Sequence, residues 1–450
     1  MAYHVKPHSA GRPFASASQS TPEAALTPAS APTTVLHWNS NRRRLASRQS
    51  TSALPDSSSA KRVWRAHIQA YERSQPSKSI SSTKLARCAR SVGTKWPGVA
   101  SPYAPIVFTY ATFVNAEQWL LGLSAALHGW PVALAGFGRE NFQWWKPGTK
   151  LPGTVRAAEL LGKLAPNRTI MFGDGGDTVI ANPFTSTTRA VLAELHNTPR
   201  VLISSECNSW PVCYRDMYTE DIESVACSAR SATCYPNSGA FIGRPGPMVQ
   251  FLRGLQRMTP WSEREARERN MSVAEIANDQ AGMHRLFINR SAEPFVQSVD
   301  ALSAFFLNLF PCTGPSKEER LHSQSRFDPY RMCHEREYEP LPDIHVLKDG
   351  LEFVNSEGTI QRPVLVHANG LHYRMTSNRT RTPFSYLIRS LRAQRAKLLE
   401  YPILLIDSAF DGTCSVSKLG DVLARSREML NDTFWRTHGR TVWVRGQEPT

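Results

Sequence analysis

The chain has 450 residues, of which 41% are hydrophobic, so it can bury at least one large core and is not a small scaffold that needs staples to fold. Its formal net charge of +15 would fit a nucleic-acid-binding protein, but the charge is concentrated at one end. Residues 1–100 contain 15 Lys and Arg against 3 Asp and Glu, whereas the rest of the chain contains 38 against 35. This distribution argues against nucleic acid as the partner of the folded part.

The N-terminal segment, residues 1–100, is rich in Ser, Ala, Pro, Thr and Arg and poor in acidic and large apolar residues. We predict that it is a disordered basic leader. Its composition is also typical of organelle transit peptides, and it lacks the apolar region of a secretory signal. A low-complexity leader without a targeting role explains it equally well. No apolar run reaches the roughly 18 residues of a membrane span, so we expect no transmembrane segment.

From Pro105 the sequence alternates between apolar runs rich in β-branched residues and segments with helical spacing of apolar residues. We predict strands at 105–113, 131–137, 169–174 and 200–206, and helices at 116–130, 154–165 and 185–197. Strands that alternate with helices of this length favour βαβ units and a mostly parallel sheet. The predicted fold class is therefore α/β, with helices flanking that sheet.

The second half of the chain continues the pattern less regularly. We predict strands at 238–243, 363–370 and 401–408, helices at 247–258, 271–288 and 386–399, and a polar loop at 313–338. The predicted organisation is a single domain over residues 101–383, followed by a C-terminal extension, 384–450, whose role the sequence leaves open.

Eight cysteines are present, and four of them, Cys207, Cys213, Cys227 and Cys234, form a cluster. An even number with a tight cluster favours disulfides in an oxidising compartment, although the connectivity cannot be deduced. A zinc site is the rival interpretation. It is disfavoured because the cluster has no C-x2-C pair and no nearby His at ligand spacing.

Two carboxylates, Asp174 and Asp177, follow the predicted strand TIMF and are separated by two glycines. Ligands of open α/β sheets bind at the carboxyl ends of the strands. Two carboxylates at this spacing can face one divalent cation, and the glycines let a diphosphate approach the main chain. Mg²⁺ or Mn²⁺ there would neutralise charge on a leaving diphosphate. The alternative is an ordinary Asp/Gly turn without a ligand.

His367 ends the predicted strand PVLVH, and Asn369 and Gly370 follow it. A neutral imidazole is a suitable third metal ligand, and Gly370 would let a phosphate approach the backbone. A purely structural His at a strand end is the alternative.

Three further positions carry candidate chemistry. Trp210 follows the fourth predicted strand, and Asn237 and Ser238 precede the strand AFIG, which suits stacking on a sugar and recognition of its hydroxyls. Trp210 would serve equally well as an anchor for its loop. Asp279 lies in a predicted helix and would orient or deprotonate an acceptor hydroxyl, unless it is an ordinary solvated carboxylate.

The order of these motifs is more specific than any one of them. The segments VFTYAT, FGDGGDTVIANP, SSECNSWP, PNSGAFIGRP, NDQ and VHANG follow one another along the chain. This series resembles the glycosyltransferase domain of the procollagen lysyl hydroxylases and its stand-alone relatives, over roughly residues 105 to 372.

The resemblance implies a GT-A-like fold and transfer of galactose or glucose from a UDP-sugar to a hydroxyl of a protein or glycan acceptor. It implies Mn²⁺, or Mg²⁺, as the cofactor, held by Asp174, Asp177 and His367. It also implies residence in the lumen of the endoplasmic reticulum or Golgi.

The same resemblance assigns the remaining site residues. Thr109, Tyr110 and Thr112 of the first strand would hold uridine, with Trp144 or Trp145 against the uracil. Trp210, Asn237 and Ser238 would line the donor-sugar pocket. Asn369 and Gly370 would form the turn that faces the phosphates.

The chain departs from the family at the acidic run before the conserved Gln, which is here Asn278-Asp279-Gln280. Only Asp279 remains as the acid. The second hypothesis is therefore a catalytically weak or inactive UDP-sugar-binding or accessory module of the same fold. No H-x-D segment marks a hydroxylase domain after residue 383, so we expect no lysyl hydroxylation.

Overall fold

A computed structural model describes fifteen stretches of the chain, all of them in one compact unit, His67–Thr450. The stretches are residues 82–93, 96, 104–111, 114, 119–138, 150–206, 235–268, 279–289, 296–300, 303–308, 344–347, 350–355, 358–367, 385–406 and 413–431. The helices are α1 (Ser82–Gly93), α2 (Leu120–Leu127), α3 (Lys150–Leu164), α4 (Ser186–Asn197), α5 (Pro245–Glu268), α6 (Asp279–Asn289), α7 (Ser385–Ala393), α8 (Arg395–Leu399) and α9 (Leu419–Asn431).

The strands form one large and two small sheets. They are β1 (Ile106–Tyr110), β2 (Val132–Ala135), β3 (Ile170–Gly173), β4 (Thr178–Ile180), β5 (Arg200–Glu206), β6 (Tyr235–Gly243), β7 (Val296–Val299), β8 (Phe306–Asn308), β9 (Ile344–Val346), β10 (Leu351–Val354), β11 (Ile360–Gln361), β12 (Leu365–His367), β13 (Pro402–Ile406) and β14 (Cys414–Lys418).

The large sheet has eight strands in the order β14-β13-β2-β1-β3-β6-β5-β7. Among them, β13, β2, β1, β3, β5 and β7 run in one direction, and only β14 and β6 run against it. The mostly parallel α/β sheet with flanking helices that the sequence predicted is therefore confirmed. The small sheets have the orders β11-β10-β9 and β4-β12-β8.

A row of phenylalanines fixes one face of the large sheet. Phe108, Phe172 and Phe241 occupy paired positions on β1, β3 and β6. Their ring centroids are 5.5 Å and 4.6 Å apart, and Phe251 of α5 continues the row 5.4 Å from Phe241. Burying each of these rings contributes about 2–3 kcal/mol relative to leaving it exposed. The register of the central strands is therefore set by the packing of this face.

The C-terminal residues, to which the sequence assigned no role, complete the large sheet. The strand β13 pairs in parallel with β2, and β14 pairs antiparallel with β13 at the edge. Leu387, Leu391 and Leu398 of α7 and α8 are buried in the same hydrophobic core as the residues of α2. Within the described residues, this segment is part of the sheet and its covering layer.

The predicted disorder of residues 1–100 is wrong for residues 82–93, which form the helix α1. Cys88 is buried, with 1% of its surface exposed, and forms a disulfide with Cys414 of β14, their Cα atoms lying 5.2 Å apart. A helix held by a covalent bond to a distant strand has no local signature in a low-complexity segment. The predicted disulfide cluster at 207–234 lies outside the described residues.

We expect Cys88→Ser/Cys414→Ser to lose about 2–5 kcal/mol of unfolding free energy, because this crosslink closes a very long loop and constrains the unfolded chain. The measurement is a urea titration followed by circular dichroism. Substitution removes this bond alone, whereas a chemical reductant would act on all cysteines. Replacing both residues leaves no unpaired thiol. An unchanged midpoint would show that α1 is not held by this bond.

His128, which follows α2, gives a pH dependence of stability. Burial lowers the pKa of its imidazole from 6.5 to about 4, so the folded state keeps it neutral. Between these pH values the unfolded state binds the proton and the folded state does not. Stability therefore falls with falling pH through this window, by about 3 kcal/mol for this one group.

The variant His128→Asn tests this pH dependence because Asn is neutral and is tolerated at the end of a helix. Unfolding free energies measured from pH 7 to pH 4 should decline less steeply in the variant than in the natural chain. Parallel pH profiles would mean that His128 titrates normally in the folded state.

Among the described residues, no helix has the length and apolar character that a membrane crossing requires.

Candidate active site

The site is built where β3 ends. Asp174 follows β3, and its backbone N–H donates to the carbonyl of Gly239 on β6 at 2.8 Å. The hydroxyl of Thr178 donates back to the carbonyl of Asp174, which closes the turn that carries the two glycines. Main-chain and side-chain hydrogen bonds thus hold the segment between β3 and β4 in place.

The small sheet brings His367 to this turn. Its strand β12 pairs antiparallel with β4, so that His367 lies opposite Thr178 and next to the end of the turn. The Nε2 atom of His367 lies 3.2 Å from Oδ1 of Asp177. The register of a three-residue ladder therefore positions two of the predicted metal ligands.

Asp174, Asp177 and His367 form a candidate metal centre. One ligand atom from each residue lies within 4.8 Å of the others. Two carboxylates and an imidazole at the end of a sheet provide oxygen and nitrogen donors that suit a divalent cation such as Mn²⁺. The donor set fits the metal that the sequence predicted.

Lys150 is a site residue that the sequence did not reveal. Its Nζ lies 2.7 Å from Oδ1 of Asp174 and 2.8 Å from Oδ2 of Asp279, and 5.5 Å from the ring centroid of Phe172. It is the first residue of α3, where the helix dipole disfavours a cation. The sequence predicted this helix only from residue 154, so it gave no signal for Lys150. Burial alone would lower the pKa of Lys150, but the two carboxylates outweigh burial and raise it.

Asp279 joins the same cluster at the start of α6. Its Oδ1 accepts a hydrogen bond from the hydroxyl of Ser238 at 3.2 Å and from the backbone N–H of Gln280 at 3.1 Å. Its Oδ2 contacts Lys150. The structure thus brings Asp279, the carboxylate predicted to orient or deprotonate the acceptor, next to the predicted metal ligands.

Asn237 lies behind His367, in a buried polar network. Its Oδ1 is 3.0 Å from Nδ1 of His367, and its Nδ2 donates to Oε2 of Glu206 at 3.0 Å. Gln280 donates to the other carboxylate oxygen of Glu206. Glu206, at the end of β5, is 2% exposed. This glutamate is a second site residue to which the sequence gave no role.

The electrostatics of the cluster favour a bound cation. Burial raises the pKa of Asp174; Lys150 opposes this rise, and Asp177 and Asp279 add to it. Burial alone would favour neutral His367, yet the negative charges of Asp177, Asp174 and Glu206 outweigh burial and raise its pKa. Carboxylates so close together are costly without a compensating charge.

Two of the predicted uridine contacts, on β1, are described. Thr109 is buried, and a Cβ built on Gly175 would lie 3.2 Å from its Oγ1, so the hydroxyl lies against the metal-site turn. Tyr110 packs its ring against Gly136, whose φ of +81° and close approach to the ring exclude a side chain. Thr109 is therefore beside the candidate centre, and Tyr110 packs on the other face of the strand.

The remaining predicted contacts lie outside the described residues. They are Thr112, Trp144, Trp145, Trp210, Asn369 and Gly370.

The fold and the cluster together define an α/β protein with a mostly parallel sheet and a candidate divalent-metal site at the carboxyl end of β3. No protein-family model matches the sequence, and no curated protein matches it.

Solved structures whose titles name glycosyltransferases are similar to this chain. One is the apo form of the bifunctional glycosyltransferase WbbM, with 11% identity and a TM-score of 0.29, covering 66% of this chain and 54% of that chain. Another is the apo form of mouse xyloside xylosyltransferase 1, with 12% identity and a TM-score of 0.30, covering 60% of this chain and 98% of that chain. The chain thus spans just over half the length of WbbM.

Proposed function

We propose that this chain is a metal-dependent hexosyltransferase that moves galactose or glucose from a UDP-sugar to a hydroxyl of a protein or glycan acceptor. The observation that carries the proposal is the convergence of Asp174, Asp177 and His367 within 4.8 Å at the end of a parallel strand, beside Asp279 and Lys150. Anionic nucleotide ligands of α/β sheets bind at such strand ends.

Three residues would hold the cation, namely Asp174, Asp177 and His367. When bound, Mn²⁺ or Mg²⁺ supplies positive charge for the diphosphate of the donor and of the departing UDP. The two glycines between the aspartates leave the main chain accessible to phosphate oxygens. A third glycine, Gly370, follows β12 in the sequence and would serve the same purpose in this proposal.

Lys150 and Asp279 act on the reacting groups. The buried ammonium of Lys150 adds positive charge beside Asp174 and fixes the carboxylate of Asp279 through a 2.8 Å contact. Asp279 orients the acceptor hydroxyl and accepts its proton as the new bond forms from that oxygen to the sugar carbon. The bond from the sugar carbon to the diphosphate breaks, and its electron pair leaves with UDP.

The nucleoside and sugar contacts remain those that the resemblance implies. Thr109, Tyr110 and Thr112 would hold uridine with Trp145 against the base. Trp210 would lie in the sugar pocket with Ser238, and Asn369 would face the phosphates.

The experiment is a measurement of UDP release by the purified full-length chain with UDP-galactose and with UDP-glucose, in Mn²⁺ and then in EDTA. We expect turnover that is lost on chelation and restored by Mn²⁺. Turnover that EDTA leaves unchanged would contradict the metal assignment. No turnover of either UDP-sugar would contradict the proposal that the chain is a hexosyltransferase.

A binding or accessory module of the same fold gives a different result in the same assay. Calorimetry would then show UDP and Mn²⁺ binding without UDP-sugar hydrolysis or transfer. The acidic run reduced to Asp279 is the feature that favours this second candidate.

We further propose that the chain acts in the lumen of the endoplasmic reticulum or Golgi. The disulfide between Cys88 and Cys414 supports this location because disulfides persist in oxidising compartments. The test is protease protection of the full-length chain in isolated membrane vesicles. Digestion without detergent would contradict lumenal residence.

A further inference from the structure

The side-chain amide of Asn237 uses its whole hydrogen-bonding capacity inside the protein. Its Oδ1 accepts from the backbone N–H of Gly239 at 2.8 Å and lies 3.0 Å from Nδ1 of His367. Its Nδ2 lies 3.0 Å from Oε2 of Glu206 and 3.4 Å from Oε1 of Gln280. An amide has two N–H donors and two lone pairs, so none is left for a ligand.

The orientation of this amide is fixed from both ends. The backbone N–H of Gly239 can only donate, so it requires the oxygen on its side. The Glu206 carboxylate accepts at both oxygens, from Asn237 and from Gln280, so it requires the amide NH₂ on its side. A flipped amide would place N–H against N–H and oxygen against oxygen in a buried site, which costs about 1–3 kcal/mol for each mismatch.

A fixed amide oxygen next to Nδ1 decides which nitrogen of His367 carries the proton. An oxygen acceptor at 3.0 Å stabilises N–H at Nδ1. The Asp177 carboxylate is the rival acceptor, 3.2 Å from Nε2, but this contact lacks hydrogen-bond geometry, so the neutral ring keeps its lone pair at Nε2. Metals bind imidazole through the unprotonated nitrogen, so this tautomer presents the ligand atom to the cluster.

We propose that Glu206 and Asn237 are positioning residues that act in series, Glu206 fixing the amide of Asn237 and Asn237 fixing the tautomer and ring orientation of His367. The metal site itself rests on the proposed function. In this assignment Asn237 supports the metal ligand from behind and does not contact the donor sugar.

The first test reads the tautomer without any metal. Nitrogen-15 NMR of histidine-labelled full-length protein, at alkaline pH where the imidazole is neutral, should show N–H at Nδ1 of His367, with the signal identified by its absence in His367→Gln. Asn237→Ala should shift the ring towards N–H at Nε2. An Nε2–H form in the natural chain, or the same tautomer in both proteins, would overturn the proposal.

The second test measures Mn²⁺ affinity by calorimetry. Loss of such a supporting contact typically weakens metal binding about 10- to 100-fold, and we expect this for Asn237→Ala and for Glu206→Gln. The double variant Glu206→Gln/Asn237→Ala should lose much less affinity than the two single losses combined, because Glu206 acts mainly through Asn237 and its direct charge effect on His367 is the smaller one. Additive losses would overturn the serial arrangement.

A matched control and a rescue separate positioning from simple loss of stability. Asn182→Ala removes another buried amide, whose partners are the backbone of Leu351 and Pro363, and should leave Mn²⁺ affinity unchanged. Glu206→Gln/Asn237→Asp exchanges the carboxylate and the amide, retains the oxygen that faces His367, and should restore affinity relative to Glu206→Gln. Failure of this exchange to restore affinity, in a folded variant, counts against the proposal.

Failure of the proposed function and failure of this positioning role give different results. Natural protein that binds no Mn²⁺ would contradict the proposed function, and the NMR tautomer would still decide the role of Asn237. Natural protein that binds Mn²⁺, with variants that bind equally tightly and keep the tautomer, would contradict this inference alone.

Discussion

Asp177→Asn is expected to remove sugar transfer, with turnover falling at least about 100- to 1,000-fold, the scale of losing one electrostatic contact to a developing negative charge. Asn is nearly the same size as Asp, so the turn between β3 and β4 keeps its shape. It removes one of the two carboxylates that, with His367, form the three-ligand set. The measurement is UDP release at saturating Mn²⁺.

The same variant should leave the stability of the metal-free protein nearly unchanged. Asp177 raises the pKa of Asp174, so the two carboxylates disfavour each other's charge, but Asp177 also raises the pKa of His367, which is an attraction. Asp177→Asn removes both the repulsion and the attraction, so the metal-free melting temperature should change little. A loss of activity with no loss of stability separates a ligand from a structural residue.

The thermal shift caused by Mn²⁺ binding is a second measurement of the role of Asp177 as a ligand. A ligand that binds only the folded state at about 100 times its Kd adds about 2.7 kcal/mol to stability. The natural chain should show this thermal shift, and Asp177→Asn should not. The control is Glu194→Gln on α4, which removes a carboxylate that pairs with Arg200 of β5 and should retain both turnover and shift. Normal turnover and a normal shift in Asp177→Asn would remove Asp177 from the site.

The sequence predicted the parts of the site that lie at strand ends. Asp174 follows a strand with a clear apolar run, and His367 ends another, so the rule that ligands bind at carboxyl ends was sufficient to select them. Their meeting depends on the pairing of β4 with β12. The strand at 363–370 was predicted and contains β12, but β4 has only three residues and was not predicted, so the pairing came from the order of motifs in the resemblance.

Lys150 could not be predicted because nothing local distinguishes it from a surface lysine. Its significance comes from Asp174 and Asp279, which are distant in sequence and reach it only through the folded sheet. Glu206 is a similar case, since its partners Asn237 and Gln280 lie on β6 and α6. Buried ionic contacts of this kind are determined by tertiary structure, whereas apolar periodicity is local.

The edge of the large sheet shows the same limit for the fold. A strand at 401–408 was predicted, and β13 confirms it, but the sequence did not show that it pairs with β2. Its pairing with β14, and the tie of β14 to α1 through Cys414, are long-range as well. Existence of an element follows from its own residues, while its neighbours follow from how the whole chain packs.

Gly239→Ala is expected to disrupt the metal site without replacing any ligand. A Cβ at this position would lie 2.7 Å from Nε2 of His367 and closer still to its Nδ1 and Cε1 atoms. Overpacking of this kind costs about 1–3 kcal/mol of stability. Because the imidazole must move away from β6, it also loses its contacts with Asn237 and Asp177, so the Mn²⁺-induced thermal shift should disappear with it.

Two companion variants make this result specific to His367. Gly246→Ala places a methyl group at the start of α5, where nothing lies within 4 Å, and should be neutral or stabilising by about 0.5–1 kcal/mol. In the background of His367→Ala, the ring that Gly239→Ala would strike is absent, so the same substitution should cost almost nothing. A double-mutant cycle of unfolding free energies measures this coupling. If Gly239→Ala costs the same free energy of unfolding with and without the imidazole, the cost does not come from a collision with His367. The glycine would then be required by β6 itself.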